Sequence, residues 1–307
     1  MTTNSLNKNI LMTARVSYFL WLILKNLQRT PLSANQCIEE LRYIVEKFES
    51  ISHLNSKECT FLEIGFGARP HRAFAAQYYF KDVQAVDLDF PLISARDFPK
   101  VWRQNGLLRA TKAFVRQVFF DRTEWRDFHA GMKVLLPGYN PDKTKLIVDN
   151  AASTDFWAKA PGPHDLIFST DVFEHIPLED LRRTLEGIRR SLSPDGICMT
   201  YPMVFSGILG GHLPKWYGLN MQTELDPGGA WDHLIEPDFA VDTYLNRLTR
   251  RDFVKMFQEA GFEILCDRAV LGRLGEQFMT PELRERLSSW DDYELYSNRV
   301  EFVLKAI

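Results

Sequence analysis

The spacing of hydrophobic positions along the chain changes near residue 58. Up to about residue 55 the apolar residues recur at helical spacing, as at Ile38, Leu41, Val45 and Phe48. Ser33, followed three residues later by Gln36, has the pattern of a helix capping box. From Glu58 onward, short apolar runs alternate with helical stretches, which is typical of βαβ units around a parallel sheet. The pattern therefore predicts a helical cap over residues 1–55 and an α/β core over residues 56–307.

Apolar runs bounded by turn residues predict the strands of this core. Five of them predict a doubly wound sheet: Cys59 to Ile64, Val83 to Asp87, Lys145 to Asp149, Asp165 to Thr170 and Ile197 to Tyr201. Two β-rich runs follow, Phe262 to Val270 and Arg299 to Lys305. Helices are predicted from Arg69 to Phe80, after Pro177, after an N-cap at Thr249 and from Thr280.

Two segments, at about 90–144 and 202–246, are too long to be simple connections and are predicted to be substrate-recognition insertions. Residues 91–133 include nine basic and four acidic residues, which gives this segment a local charge of +5. Such a run is typical of a solvated helix face. The alternative is that arginines such as Arg109, Arg116 and Arg122 bind an anionic substrate through a phosphate or carboxylate.

Composition narrows the class of protein. With 307 residues, 45% of them hydrophobic, the chain can bury a large core, and its net charge of -3 gives no overall bias toward nucleic acid or acidic membranes. The four cysteines are scattered without a CxxC pair, which argues against a disulfide framework and a zinc cluster and favours the cytoplasm. The apolar run Val16 to Leu24 is too short to span a bilayer and lacks a following cleavage site, so it predicts a buried cap helix, with weak membrane association as the alternative.

A glycine loop follows the first predicted strand. In Glu63-Ile64-Gly65-Phe66-Gly67 the glycines allow the backbone to approach a ligand closely. A nicotinamide site would have a third glycine where Pro70 stands. Asp87 ends the second predicted strand, where a carboxylate can accept hydrogen bonds from a ribose diol or cap a turn. Together these residues predict a nucleoside ligand.

The segments LEIGFG, AVDLD, IVDNA, DLIFSTDVFEHI and LSPDGICMTYP, in this order, resemble class I S-adenosylmethionine-dependent methyltransferases from about Glu58 to Pro202. The resemblance implies a doubly wound, seven-stranded, mostly parallel sheet with S-adenosylmethionine as cofactor. It also implies roles for individual residues: Glu63, Gly65 and Gly67 beside the methionine part, Asp87 on the ribose, Asp149, Asn150 and Ala151 at the adenine edge, and Ser169 and Asp171 beside the methionine and facing the substrate.

Methyl transfer to a hydroxyl group requires removal of a proton, for which histidine is well suited near neutral pH. His175 follows the fourth predicted strand and is predicted to be either this base or a structural histidine in the core. His212 and His233, in the later insertion beside aromatic residues, are further candidates. Together with Asp232 they lack a diagnostic metal-ligand spacing, so no metal is expected.

The sequence thus predicts an O-methyltransferase acting on a small hydroxylated molecule, such as a sugar, glycan or secondary metabolite. A nucleic-acid methyltransferase is the alternative enzyme, but no Asn/Asp-Pro-Pro-aromatic tetrad follows the fourth strand and no nucleic-acid partner is expected. A cofactor-binding scaffold without catalysis is the second alternative. Neither the oligomeric state nor the acceptor atom follows from the sequence.

Overall fold

The structure is a computed structural model that describes residues 33–307 apart from 94, 118–120, 213–228, 237, 240, 242 and 271. The predicted apolar helix from Val16 to Leu24 lies outside the described residues, as do Leu213 to Tyr217 of the later insertion.

Eleven helices and seven strands are described. The helices are α1 (Ala34–Ser52), α2 (His71–Ala76), α3 (Phe98–Asn105), α4 (Leu107–Arg116), α5 (Arg122–Leu135), α6 (Thr154–Lys159), α7 (Leu178–Ser191), α8 (Asp232–Ile235), α9 (Arg250–Glu259), α10 (Pro281–Arg286) and α11 (Asp292–Leu295). The strands are β1 (Thr60–Ile64), β2 (Asp82–Asp87), β3 (Lys145–Val148), β4 (His164–Thr170), β5 (Leu192–Tyr201), β6 (Phe262–Ala269) and β7 (Val300–Ala306).

The strands form one sheet in the order β3-β2-β1-β4-β5-β7-β6. The first five are parallel, and β7 runs antiparallel to both of its neighbours. The chain leaves β1 toward one edge and returns through β4 toward the other. The predicted fold class, a doubly wound and mostly parallel seven-stranded sheet, is confirmed, and the carboxyl ends of β1 and β4 meet at the point where ligands bind in such sheets.

Alternate residues of the strands pack on opposite faces of the sheet. Phe61 belongs to a core shared with α1, α2 and α5, whereas Leu62 belongs to a core shared with α6, α7 and α9. Burial on both faces explains why the parallel strands appear in the sequence as continuous apolar runs. By the same alternation, Glu63 lies on the α1–α2 side.

The capping predictions are confirmed. The Ser33 hydroxyl accepts a hydrogen bond from the Gln36 amide while the Gln36 side chain accepts one from the Ser33 amide, and α1 begins there. Thr249 and Asp252 form the same reciprocal pair at the start of α9.

Two boundaries differ from the prediction. The helix expected from Arg69 to Phe80 covers only His71–Ala76, because Arg69 is held in an ion pair outside it and Pro70 is its N-cap. Strand β5 begins five residues early, at Leu192, because the residues expected only to stop α7 continue as extended chain and Leu192 pairs with His164.

The two insertions pack against different parts of the fold. The earlier one contains α3, α4 and α5, and α5 packs against α1. The described part of the later one packs Trp231, Ile208 and Leu209 against Leu287 and Leu295 near the C-terminus. No described helix combines the length and apolar character needed to cross a membrane.

Candidate functional site

The glycine loop after β1 depends on the backbone freedom of Gly65. Its φ is +85°, a left-handed conformation, and its amide donates to the Val86 carbonyl at 2.8 Å. A Cβ atom at Gly65 would lie 2.1 Å from Val172 Cγ2, so the loop can pass the β4 end only with a glycine there. Gly67 also has a positive φ, of +67°, but open space where its Cβ would stand.

Glu63, the last-but-one residue of β1, is buried beneath this loop. Its Oε1 accepts from Arg72 Nη1 at 2.7 Å, whereas Oε2 has no hydrogen-bond partner among the described residues. Burial raises the pKa of Glu63, and the Arg72 guanidinium opposes that rise. Glu63 therefore has an unused buried acceptor for a cationic ligand group.

Asp87 joins the end of β2 to the glycine loop. Its Oδ2 accepts from the Gly67 amide at 2.8 Å and its Oδ1 from the Asp89 amide at 2.9 Å. Burial raises the pKa of Asp87, while these backbone donors lower it. Each carboxylate oxygen can still accept a second hydrogen bond, so Asp87 can hold the loop and a ribose diol together.

Arg69 explains the unusual Ala68-Arg69-Pro70 continuation of the loop. Its guanidinium pairs with Asp121 and lies 3.5 Å from Glu124, two buried acids at and near the start of α5. The next residue but one, His71, stacks on Trp125 with ring centroids 4.1 Å apart. The earlier insertion thus holds the glycine loop in place, which its basic composition did not suggest.

Asp149, Asn150 and Ala151 follow β3 at the same edge of the sheet. The Asp149 carboxylate accepts from Lys159 Nζ at 2.6 Å, and this hydrogen bond lowers the pKa of Asp149. Asn150 is exposed, with its side chain accepting from the Ala152 amide at 2.9 Å. Ala151 is 8% exposed. The turn is well ordered by its own hydrogen bonds beside the end of β2.

The two residues predicted at the end of β4 occupy different surroundings. Ser169 is completely buried, and its hydroxyl donates to the Ile64 carbonyl at 3.0 Å, so it ties β4 to β1. Asp171 is half-buried with φ +54° and forms a two-pronged ion pair with Arg299, at 2.9 and 2.5 Å. Burial raises the pKa of Asp171, and Arg299 opposes this.

A cluster of three potential ligand or base groups lies just beyond Asp171. One nitrogen or oxygen from each of Glu174, His175 and His212 lies within 4.8 Å of the other two, and we call these three residues the Glu–His–His cluster. The rings of His175 and His212 are 4.9 Å apart and nearly perpendicular. The structure therefore brings together two of the three histidines predicted as catalytic, together with a glutamate that was not among the predicted residues.

The electrostatics of the Glu–His–His cluster follow from its burial. Glu174 is 3% exposed, and neither carboxylate oxygen has a hydrogen-bond partner among the described residues. Burial is the main reason why the pKa of Glu174 rises to about 8. Burial also lowers the pKa of His212 to about 3, and His175 contributes in the same direction. His212 is therefore neutral at physiological pH.

His233, the third histidine predicted as catalytic, is packed within the later insertion. It is 8% exposed, its Nε2 donates to the Phe205 carbonyl at 2.8 Å, and its ring lies against Phe205 and Phe239. Burial lowers the pKa of His233 to about 4. Its surroundings give it a packing role next to Gly211, one residue from His212.

Asn246 positions the turn that carries Glu174 and His175. Its side-chain amide donates to the Phe173 and Ile176 carbonyls at 2.7 and 3.0 Å, and its backbone amide donates to the Glu174 carbonyl at 2.9 Å. Nearby, His175 Nδ1 lies 3.1 Å from the Tyr244 carbonyl. Since a carbonyl only accepts, Nδ1 carries the proton and Nε2 presents a lone pair.

Replacing Asn246 with aspartate is expected to lower the free energy of unfolding by about 2 kcal/mol, because the carboxylate cannot donate to either carbonyl. Urea unfolding measures this. Asn140→Asp is the matched control, since the Asn140 side chain only accepts, from the Asp142 amide, and aspartate can do the same. Equal stability of the two variants would show that Asn246 does not fasten the turn.

The residues at this edge fit S-adenosylmethionine. The unused oxygen of buried Glu63 suits the ammonium of a methionine group, Arg72 suits its carboxylate, and Asp87 retains acceptor capacity for a ribose. Arg72 and Arg299 lie outside the motifs from which the site was predicted. A signal for Arg72 was available in its position on the first helix after the loop, but Arg299 follows β4 by more than a hundred residues and leaves no local signal.

A comparison with protein families agrees with this assignment. Residues 34–267 match a family described as "Methyltransferase domain". No curated protein matches the chain.

Three solved structures illustrate the structural similarity. They are an S-adenosylmethionine-dependent methyltransferase from Clostridium acetobutylicum (11% identity, 92% of this chain and 96% of that one, TM-score 0.47), the magnesium protoporphyrin IX methyltransferase from Synechocystis with bound SAH (10%, 87% and 82%, 0.44) and the geranyl diphosphate C-methyltransferase from Streptomyces coelicolor (12%, 86% and 77%, 0.42). The match over residues 34–267 shows that the chain belongs to the methyltransferase-domain family, as a class I enzyme whose cofactor is S-adenosylmethionine.

Proposed function

We propose that the protein methylates an oxygen atom of a small hydroxylated molecule, such as a sugar, a glycan or a secondary metabolite. The observation that carries this proposal is the Glu–His–His cluster at the carboxyl end of β4, directly after Asp171. A hydroxyl must lose its proton as it accepts a methyl group, and imidazole and carboxylate are the side chains best suited to drive that loss near neutral pH.

In this proposal the cofactor and the acceptor bind at separate places along the carboxyl edge of the sheet. We call the first the cofactor edge and the second, at the Glu–His–His cluster, the acceptor edge. Glu63 and Arg72 hold the methionine end, Asp87 holds the ribose, and Asp149 with Asn150 faces the adenine. S-adenosylmethionine supplies an activated methyl group when bound. The chain's own contribution is to place the acceptor oxygen in line with that group and to keep water away.

The acceptor edge is formed by the Glu–His–His cluster and a narrow cleft beside it. Glu174, His212, Met203 and Arg247 line this cleft, which has no room for a water-sized group in this conformation. The side chains that line the cleft must therefore move before the hydroxyl end of an acceptor can enter it. His233 supports the backbone next to His212 and does not take part in proton transfer.

Two further expectations extend this proposal: an anionic group on the acceptor and action in the cytoplasm. An anionic group on the acceptor would suit the basic residues of the earlier insertion, of which Arg122 is exposed on α5, while the side chains of Arg109 and Arg116 lie outside the described residues. None of the four cysteines, all of which are described, forms a disulfide, which is compatible with action in the cytoplasm.

The test is a methyl-transfer assay with isotopically labelled S-adenosylmethionine and a panel of sugars, phenols and catechols, amines, and RNA. We expect transfer only to hydroxylated small molecules, with the O-methyl linkage identified by mass spectrometry. Asp87→Asn serves as the control that loses cofactor binding, because its amide can offer only one acceptor oxygen to the loop and ribose. Transfer confined to amines or RNA would contradict O-methylation, and cofactor binding without transfer to any acceptor would favour the scaffold alternative.

A further inference from the structure

The Glu–His–His cluster combines a buried carboxyl group with unused hydrogen-bonding capacity. Glu174 is 3% exposed with two unpartnered oxygens among the described residues, although its neighbours include two imidazoles. A buried polar group is normally satisfied, and a buried carboxylate normally has a positive partner. Among the described residues no hydrogen bond or ion pair reaches this carboxylate directly, and Arg299 acts on it only electrostatically, from its ion pair with Asp171.

The geometry of the three groups suits a single cation. Two atoms that both bind one ion at about 2.1 Å cannot lie more than about 4.2 Å apart. The ligand atoms of the cluster already lie within 4.8 Å of one another, so closing onto an ion requires side-chain movements of less than about 1 Å.

The surroundings of His175 match those of a metal-binding histidine. A ligating histidine generally donates its other ring N–H to a carbonyl or carboxylate, which fixes the ring and directs the lone pair toward the metal. His175 Nδ1 donates to the Tyr244 carbonyl at 3.1 Å, which leaves Nε2 for coordination. The Asn246 side chain holds the same turn in place through its hydrogen bonds to the Phe173 and Ile176 carbonyls.

The backbone around His212 also fixes the cluster. His212 has φ +50°, and its amide donates to the Leu209 carbonyl at 2.9 Å. On the neighbouring residue, Gly211, a Cβ would lie 2.9 Å from the His233 ring. The packed His233 therefore sets the position of the chain from which the His212 side chain reaches His175.

We propose that Glu174, His175 and His212 bind one divalent transition-metal ion beside the acceptor position. Two imidazoles and one carboxylate favour Mn²⁺, Fe²⁺, Co²⁺ or Zn²⁺ over Ca²⁺ and Mg²⁺, which prefer oxygen ligands. Three protein ligands leave coordination positions open for water or for a substrate oxygen, as in catalytic metal sites. The sequence expectation that no metal is bound rested on a different trio, with Asp232 and His233 in place of Glu174 and His175.

The role of this metal rests on the proposed O-methylation, whereas its binding does not. A cation at this point lowers the pKa of an acceptor hydroxyl bound to it, because it stabilises the alkoxide over the alcohol. With the ion bound, the three side chains are its ligands and not proton acceptors, so the proton passes to water. The acceptor oxygen then takes the methyl group and becomes an ether, while the donor sulfur keeps the electron pair of the broken bond and becomes a thioether.

The test of binding is titration of the chelator-treated full chain with Co²⁺, followed by its visible absorption, which needs neither an acceptor nor a methyl donor. We expect one Co²⁺ per chain. The variants His175→Ala, His212→Ala and Glu174→Gln are each expected to weaken binding at least about 10-fold, because even residues outside the coordination sphere commonly change affinity that much. His53→Asn is the matched control, since His53 is exposed, lies at the end of α1 and has a φ of +59° that asparagine tolerates.

Glu174→Gln also distinguishes a metal site from a purely structural cluster. Because glutamine keeps the shape of the side chain but supplies no carboxylate to an ion, we expect the thermal midpoint of the metal-free variant to stay within about 2 °C of the wild type, while the further rise that Co²⁺ or Zn²⁺ gives the wild type is lost. Absence of stoichiometric Co²⁺ binding, or binding that all three variants retain, would overturn the metal site. Methyl transfer unaffected by removal of the metal would overturn its catalytic role, and failure of O-methylation alone would leave the Co²⁺ result unchanged.

Discussion

Replacing Gly65 with alanine is expected to weaken the binding of S-adenosylmethionine at least about 100-fold, or about 2.7 kcal/mol. The new Cβ would lie 2.1 Å from Val172 Cγ2, and an alanine at φ +85° is itself strained. Because Val172 lies between Asp171 and the turn that carries Glu174, the displacement reaches both edges of the site. Isothermal titration calorimetry measures the affinity directly, and it should be accompanied by a loss of methyl transfer.

Gly138→Ala separates backbone strain from the steric clash. Gly138 has the same φ, +85°, but open space where its Cβ would stand, and it lies between α5 and β3, outside the glycine loop. This variant should lose about 1 kcal/mol of stability and keep its cofactor affinity. Adding Val172→Ala to Gly65→Ala should restore part of the affinity. Wild-type affinity in Gly65→Ala alone would show that the cofactor does not depend on this loop.

Replacing Glu301 with glutamine is expected to lower the free energy of unfolding by about 3 kcal/mol, the lower end for breaking a buried ionic contact. Glu301, on β7, is completely buried and accepts from Tyr201 at 2.7 Å, from Lys47 at 2.9 Å and from Arg268 at 2.8 Å. Tyr43 also donates to it at 2.9 Å. The carboxylate thus joins α1, β5, β6 and β7, and glutamine leaves the two cations without their counter-charge.

The pH dependence of this effect has a definite sign. Burial alone would raise the pKa of Glu301, but the hydrogen bonds from Lys47, Tyr201 and Arg268 outweigh it and hold the pKa at about 2, below the ordinary value of 4.5. A group with a lowered pKa stabilises the fold above its unfolded-state pKa and loses that effect as the pH falls toward its folded-state pKa. The stability difference between wild type and variant should therefore shrink between about pH 4.5 and about pH 2.

Urea unfolding at neutral pH and at several acidic pH values measures both quantities. Glu263→Gln is the matched control, because Glu263 is an exposed carboxylate on the neighbouring strand β6 and its replacement should change stability by no more than about 0.5 kcal/mol. A stability difference for Glu301→Gln that is small at neutral pH, or constant throughout the acidic range, would show that the ionised carboxylate does not hold these elements together.

Strands β1, β4, β5 and β7 could be predicted from the sequence because each is buried over most of its length, and burial requires a run of apolar residues. Strands β3 and β6 have a single buried residue each and were predicted from short β-rich runs bounded by turn residues. The runs ending at Ile64, Asp87 and Thr170 end at the same residues in the structure. The helix after β1 was predicted too long, because its apolar and neutral residues continue while Arg69 and Pro70 prevent its start. That restraint comes from Asp121 and Glu124, more than fifty residues away.

The residues of the proposed cofactor edge could be predicted from the sequence because strand ends can be located in it. Residues at or directly after strand ends, such as Asp87 and Asp149, lie together at one edge because the strands are parallel. The residues of the proposed acceptor edge could not all be predicted in this way. His175 was predicted as a site residue and Glu174 was not. Only the tertiary structure shows that the Glu174 carboxyl group is buried without a hydrogen-bond partner among the described residues.

The sequence alone predicts the class of fold, the position of the glycine loop and the edge proposed to bind the nucleoside, because hydrophobic periodicity and strand-end residues are local properties. Tertiary contacts alone bring His212 beside His175 and Glu174 and pair Arg299 with Asp171. They also pack the His233 ring against Phe205 and Phe239, next to the cluster but not in it. The contacts of His233 with Phe205, of His212 with His175 and of Arg299 with Asp171 join residues 28, 37 and 128 positions apart. Such pairings depend on the paths of loops, and the free energy that sets those paths comes from packing against the whole sheet rather than from the residues nearby.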